Sequence, residues 1–293
     1  IRGGATEVSE SIEMPLGHGK VGLGQRYKIG KSLRGNHYDW AIVLPNSLKS
    51  ALIPYWANIP RRTGYIGEMR YGLLNDTRKL DKSLLTMTVQ RFVALAHDNM
   101  TIGQDDFQRP QLEISKVDVE DTLQALNLSV NEQSVLALCP GAEYGAAKRW
   151  PMEYFAELAK NAVTRGWQVW LLGSEKDSSV ANQIADIVGS KHCYSLAGKT
   201  SLQQVMHLLA QADRAVSNDS GLMHIAAAVN TPLVAIYGSS DPGFTPPLSE
   251  NHTILSLGLD CSPCFKRECP LGTLACLKGI TVEQVSDSVL LKK

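Results

Sequence analysis

The sequence has no apolar run long enough to cross a bilayer, no low-complexity tract and no internal repeat. These absences exclude a helical membrane protein, a disordered chain and a solenoid. Aromatic residues are scarce at 6%, and few lie among the basic residues of the first half, so nucleic acid is the least favoured partner. From Ser134 onward, where apolar and polar segments alternate most regularly, there is no G-x-G-x-x-G turn and no Lys-Ser/Thr ending of a phosphate loop. A dehydrogenase or an ATPase is thereby disfavoured. No signal peptide precedes the fold, and the chain opens at Ile1 in mid-pattern, which predicts an N-terminal truncation.

What is present describes a globular protein: 293 residues, 44% hydrophobic and 20% charged, enough for two domains with separate cores. The net charge of zero hides an asymmetry. Residues 1–91 carry 14 Lys/Arg against 7 Asp/Glu, whereas residues 92–293 carry 15 against 22. A basic first half suits an anionic partner, such as a phosphorylated glycolipid or a membrane surface, and equally suits a solvated face with no specific partner.

Tyr38–Leu44 reads as a buried strand, Ser47 opens a helix through Trp56 despite Pro54, and a long helical pattern runs from Ser83 to His97. Residues 101–110 are polar and turn-rich; with a strand-like Gln111–Ile114 and a helical Val117–Leu126 they form a connection between domains, predicted as 1–115 and 116–293. Beyond Ser134, strands at Val135–Cys139, Trp167–Leu172, Cys193–Leu196, Arg214–Ser217 and Leu233–Tyr237 alternate with helices at Pro151–Arg165, Glu175–Val188, Ser201–Ala212 and Ser220–Val229. That rhythm predicts an α/β domain with a doubly wound, mostly parallel sheet, whose ligands bind beyond the carboxyl ends of the strands.

Three polar segments follow these strands. Pro140–Pro151 contains Gly141 and Ala142, small enough for close backbone approach, and Lys148, a mobile positive charge. Gly173–Asp177 contains Glu175, a carboxylate able to accept two hydrogen bonds from a ribose diol. Ser217–His224 is a strand–turn–helix in which Asp219 is placed to cap the helix, Ser220 and Gly221 open it, and His224 lies one turn in. Taken singly, each has an ordinary explanation: a surface lysine, a carboxylate favoured by a helix dipole, a packed histidine. Taken together at one sheet edge, they describe a nucleotide-diphosphate site.

Cys139-Pro-Gly-Ala with Lys148-Arg-Trp-Pro, Leu172-Gly-Ser-Glu175 and Ser217-Asn-Asp-Ser-Gly-Leu-Met-His224 resemble the donor-site motifs of the lipopolysaccharide ADP-heptosyltransferases, glycosyltransferase family 9. Met14-Pro-Leu-Gly-His-Gly, Val43-Leu-Pro-Asn-Ser, Ile59-Pro-Arg-Arg-Thr-Gly-Tyr, Gly67-Glu-Met-Arg-Tyr-Gly-Leu-Leu-Asn-Asp-Thr-Arg and Phe244-Thr-Pro-Pro-Leu-Ser resemble its type II members in particular. The resemblance implies a GT-B fold, two Rossmann-like domains facing across a cleft. ADP-heptose would lie on the C-terminal domain and a heptosyl-Kdo2-lipid A acceptor on the N-terminal one. It also implies inverting transfer with no cofactor, cytoplasmic work at the cytosolic face of the inner membrane, and peripheral contact with that surface. Lys148 would balance charge on departing ADP, Glu175 would hold the adenosine ribose, and Asp219, Ser220, Gly221 and His224 would surround the diphosphate and heptose. Lys49, Arg61, Arg62 and Arg70 become candidates for anionic core sugars and phosphates. The family's opening strand, with the aspartate thought to deprotonate the acceptor, has no counterpart here. Asp39 and Asp76 do not match its position, so no general base is assigned.

Cys261-x2-Cys264-x4-Cys269-x6-Cys276 has the ligand count of a tetrahedral zinc site, with reduced thiols and a disulfide as competing readings. Rival functions are a heptosyltransferase for another core position, an inactive nucleotide-sugar-binding fragment and a nucleotide-sugar epimerase.

Overall fold

In the computed structural model, which describes residues 8–17, 20–98, 107–130 and 133–290, the chain divides into two units. One is Glu10–Gln108 with Gly243–Thr245, and the other chiefly Arg109–Pro242 and Pro246–Lys293.

The smaller unit runs α1 (Leu23–Ser32), β1 (Trp40–Val43), α2 (Leu48–Trp56), β2 (Arg61–Tyr65), β3 (Asp76–Arg78) and α3 (Thr88–Ala94). Its strands form a parallel three-stranded sheet in the order β1-β2-β3. The expected buried strand at Tyr38–Leu44 is shorter and less buried: β1 is an edge strand, with Trp40 36% and Ile42 37% exposed. The helix expected over Ser83–His97 is likewise shorter. Asp81 accepts from the Ser83 and Leu84 amides at 2.9 and 3.3 Å and from the Ser83 hydroxyl at 2.6 Å, which holds a turn where the helix would begin. Helix α3 starts only after Gln90 has reached back to the Met87 amide at 2.9 Å. Pattern alone missed α1.

Between β2 and β3 the chain makes an excursion with its polarity turned inward. Arg70 is 2% exposed, and its guanidinium donates to the carbonyls of Pro45 at 2.6 Å and Tyr65 at 2.5 Å. Its neighbours Met69 and Tyr71 stand 82% and 72% exposed. Glu68 accepts from the Leu48 amide at 2.8 Å, covering an otherwise unpaired donor at the start of α2.

The larger unit continues with α4 (Lys116–Ala125), β4 (Val135–Cys139), α5 (Met152–Thr164), β5 (Gln168–Leu171), α6 (Ser178–Val188), β6 (Cys193–Ser195), α7 (Leu202–Gln211), β7 (Arg214–Asn218), α8 (Gly221–Ala228), β8 (Leu233–Ile236), β9 (His252–Leu255), α9 (Ala275–Lys278) and α10 (Val282–Leu290). Every pairing is parallel and the strand order is β6-β5-β4-β7-β8-β9, so the winding reverses between β4 and β7. Pattern missed β9 and α10. Gln111–Ile114 pairs with no strand, although Leu112 donates its amide to Ala228 at 2.9 Å. Residues 101–106 of the expected connection lie outside the described residues.

Alternation along the strands assigns the two faces. Leu136, Leu138, Val169, Leu171, Val216, Val234 and Ile236 pack beneath α5, α6 and α10. Val135, Ala137, Trp170, Ala215, Leu233 and Ala235 pack on the other side against α7 and α8. With both faces apolar, the strands read as continuous hydrophobic runs. In α5, the buried positions Phe155, Ala156, Leu158, Ala159 and Ala162 follow helical spacing. Among the described residues no helix is long and apolar enough to cross a membrane.

At the reversal point a buried amide ties the strand ends together. Asn218, fully buried at the end of β7, accepts from the Trp150 amide at 2.9 Å and donates to the Pro140 carbonyl at 2.8 Å. It therefore fixes both ends of the loop that carries Lys148. Asn218→Ala leaves both backbone groups without that partner and is expected to cost about 2–4 kcal/mol in denaturant unfolding; a loss below about 0.5 kcal/mol would refute the clamp.

In the smaller unit, Asp76 sits between Arg78 at 2.8 Å, Arg61 at 3.0 Å and the Thr63 hydroxyl at 2.8 Å. The Arg78 hydrogen bond above all, assisted by Thr63 and Arg61 and opposed by desolvation, holds its carboxyl down at about 2. A depressed folded value means stabilisation that is present above the unfolded value and lost as pH falls from about 4 through about 2. The size is about 2 kcal/mol at neutral pH. Asp76→Asn should lose that amount at pH 7 and show a flatter acid limb; equal acid sensitivity in both proteins would contradict it.

Candidate active site at the carboxyl edge of the sheet

A cavity of about 460 Å³ opens where β4, β5 and β7 end. Its walls come from Gly141, Ala142 and Glu143 after β4, from Leu172, Gly173, Ser174 and Asp177 after β5, and from Ser220, Gly221, Leu222 and Ile225 around the start of α8. Thr200, Leu202 and Val205 at the head of α7 complete it. The Leu, Val and Ile side chains make an apolar slot suited to a planar base, with polar backbone at one end.

Close packing explains the glycines. A Cβ on Gly141 would lie 2.4 Å from the Asp177 carboxyl carbon, and one on Gly173 would lie 2.8 Å from the Asp177 Cβ. Asp177 in turn accepts from the Ser174 amide at 2.9 Å and hydroxyl at 2.7 Å, closing a capping box over the 3-10 turn Glu175–Asp177. The small residues expected to admit a ligand thus also admit this carboxylate. At Gly221, by contrast, an added Cβ would meet nothing within 4 Å.

Sequence placed Asp219 as the cap of α8, and the structure corrects this. Ser220 occupies the N-cap with no side-chain capping bond, while Asp219 turns to Lys148, Nζ to Oδ2 2.5 Å, with side chains 18% and 5% exposed. The first amides of α8 are left without a side-chain acceptor beside an open wall, and the helix dipole favours an anion there. The lysine stays by its aspartate because an unpaired buried charge is costly. Its ammonium also lies 5.2 Å from the centre of the Tyr144 ring.

Of the donor-site candidates, Gly141, Ala142, Ser220 and Gly221 line the cavity; Lys148 and Asp219 do not, and they pair with each other, Asp219 directly preceding Ser220 in the chain. Glu175 and His224 are exposed and do not line it. The Glu175 side chain lies over Gly198, where a Cβ would come 2.3 Å from its Oε2. His224 is held below the ordinary imidazole range, by desolvation first; Asp219 pulls it upward and Lys148 pushes it down. Sequence reasoning missed Asp177 and Asn218. The Ser174-x-x-Asp177 spacing was a readable signal for the first, and nothing local marked the second.

The three candidate arginines in the smaller unit are engaged by other groups of that unit. Arg61 pairs with Asp76 and Asp98 and lies 4.4 Å from the Trp40 ring, Arg62 donates to the carbonyls of Leu73 at 2.7 Å and Ile59 at 2.6 Å, and Arg70 is buried as described. Among the described residues the Lys49 ammonium makes only a long contact, 3.4 Å, to the Lys20 carbonyl.

The tetrahedral zinc expectation is corrected. All six cysteines are free. Cys261, Cys264, Cys269 and Cys276 do line one small hollow with Ser239, yet among the described residues no group of three or more His, Cys, Asp or Glu side chains is arranged to hold a metal ion. The Cys269 sulfur is instead engaged by backbone amides, that of Leu274 foremost, which lowers its thiol pKa, while burial raises that of Cys276 on α9.

Comparison with known proteins accords with this architecture. The sequence pattern described as glycosyltransferase family 9 (heptosyltransferase) matches residues 26–275. Lipopolysaccharide heptosyltransferase 2 of Escherichia coli K12 is 47% identical over 291 residues, which are 97% of this chain and 83% of that protein. Lipooligosaccharide heptosyltransferase 2 of Haemophilus influenzae is 48% identical over 260 residues, 86% of this chain and 75% of that one. The solved structure of E. coli ADP-heptose LPS heptosyltransferase II superposes with a TM-score of 0.79 at 44% identity, covering 91% of this chain and 80% of that chain. The α/β, GT-B fold class read from the sequence is the one found. With its parallel sheets, the site at the carboxyl edge of the larger one and this breadth of identity, the chain belongs to glycosyltransferase family 9, the heptosyltransferases.

Proposed function

We propose that the chain transfers L-glycero-D-manno-heptose from ADP-heptose to a heptosyl-Kdo2-lipid A inner-core acceptor, inverting the anomeric centre. The observation that carries this reading is the Lys148–Asp219 pair next to the free amides of α8, with Asp219 directly preceding Ser220, which lines an apolar slot. The adenine would occupy that slot, and Glu175 would take the ribose hydroxyls from the neighbouring strand end. The diphosphate would meet the amides at Ser220 and Gly221, with Asp219 and His224 toward the heptose.

Breaking the anomeric bond delivers negative charge to the β-phosphate of departing ADP. Fixed dipoles and a cation aimed at that point stabilise the transition state more than the ground state. Lys148 supplies the cation, and Asp219 holds it in place until the charge develops. The type 2 relatives above, named as heptosyltransferases of lipopolysaccharide and of lipooligosaccharide, support the choice of acceptor. Such an acceptor is anchored in a bilayer, so the enzyme would work in the cytoplasm at the inner-membrane face, with the basic half of the sequence nearest the anionic surface. Candidates for the acceptor's charged groups remain Lys49, Arg61, Arg62 and Arg70. For the three arginines this requires exchanging internal contacts for the ligand.

Incubation with ADP-heptose and heptosyl-Kdo2-lipid A should add one heptose to the acceptor by mass spectrometry; donor hydrolysis or epimerisation alone would overturn the assignment. Lys148→Ala should lower kcat by roughly 10²–10³ at saturating donor, measured as ADP release. A near-normal kcat would remove Lys148 from the mechanism.

A further inference from the structure

The cations nearest the cavity do not balance a diphosphate. Lys148 is neutralised by Asp219, and Lys176 by Glu143 at 2.5 Å. Arg149 turns back onto the Ala142 carbonyl at 3.1 Å. The α8 terminus offers roughly half a positive charge. A multiply charged anion bound on those groups alone would keep most of its charge uncompensated.

One further cation stands at the same place. Arg267 is exposed and, among the described residues, has no carboxylate partner; its guanidinium carbon lies 5.3 Å from the centre of the Tyr144 ring, the ring that also faces Lys148. Its backbone is joined to the Lys148 loop. The Arg267 carbonyl accepts from the Ala147 amide at 3.0 Å, and a Cβ on Gly145 would lie 2.3 Å from that oxygen. The Tyr144 hydroxyl donates to the Phe265 carbonyl at 2.8 Å. On its other side the cysteine-rich loop is tied to the end of β8, where Phe265 donates its amide to Ser239 at 2.7 Å and the Ser262 hydroxyl donates to Gly238 at 2.5 Å. The loop therefore bridges the ends of β4 and β8 and delivers a guanidinium to the carboxyl edge.

We infer that Arg267 is a donor-binding residue whose guanidinium engages the diphosphate of the nucleotide sugar beside Lys148, with Tyr144 holding the two cations in register. The inference rests on the donor site proposed above. A guanidinium matches phosphate oxygens with a planar fork, which the lysine cannot do. An exposed cation–π contact is weak, so leaving the ring for a phosphate costs little.

Calorimetric titration of the full chain with ADP and with AMP tests it, since AMP lacks the second phosphate. Arg267→Ala should weaken ADP binding roughly 10- to 100-fold, the ratio of a charge-assisted hydrogen bond, and leave AMP within about twofold. Arg267→Lys should fall between, and Glu268→Ala, in the same loop, should match the unaltered protein for both nucleotides. If Arg267→Ala binds ADP within about twofold of the unaltered protein, or loses ADP and AMP in equal measure, the inference is overturned. If the unaltered protein binds neither nucleotide, the donor-site reading fails and takes this one with it. Should the alanine variant not fold, the lysine variant decides: ADP affinity unchanged on losing the fork sinks the inference.

Discussion

A parallel sheet buried on both faces leaves chemistry nowhere to go but the ends of its strands. In the larger unit the apolar residues of β4, β5, β7 and β8 are divided between two apolar layers, and β4 is buried along its whole length. Polar groups can enter only where the backbone leaves the sheet, and the reversal between β4 and β7 spreads two such exits apart. The cavity, the Lys148–Asp219 pair and the open start of α8 all follow from that constraint. The buried Asn218 amide keeps the exits in register.

Electrostatics at this edge are arranged by pairing. A lysine shielded from water is tolerable beside an aspartate, so the ion pair keeps a cation close to the open start of α8. Its pairing also limits what the lysine contributes to a resting ligand, which turns attention to the unpaired guanidinium on the cysteine-rich loop. The smaller unit shows the opposite use of charge. There Arg61 and Arg78 converge on Asp76, and a carboxyl held at about 2 is a poor proton acceptor near neutrality, as its mismatch with the family's base position already suggested.

Much of this was legible in the sequence, for identifiable reasons. The strand–helix rhythm from β4 to β8 was read correctly because most of its elements are long enough, and apolar enough, for their period to outweigh local exceptions. The segment from Ser217 to Gly221 was recognisable because strand, turn and helix follow without interruption. Other features depended on contacts distant in sequence. Nothing near Asp219 says that its carboxylate will leave the helix start for a lysine 71 positions earlier. Asp81 delayed the start of a helix by accepting from the amide two residues on, a side-chain bond that periodicity does not see. The cysteine spacing suggested a metal because it counts ligands; it carries no information about where a loop fastened at Gly145, Gly238 and Ser239 will aim each sulfur.

The excursion around Arg70 reverses the usual division between inside and outside, with its cation in the interior and Met69 and Tyr71 in solvent. Those two side chains stand on a backbone already immobilised by the arginine beneath them and by Glu68 at the start of α2. Whatever molecule covers them meets a surface ordered in advance, so association there would carry almost none of the entropic penalty of arranging a loop. The buried arginine beneath them would set that affinity through the rigidity it imposes.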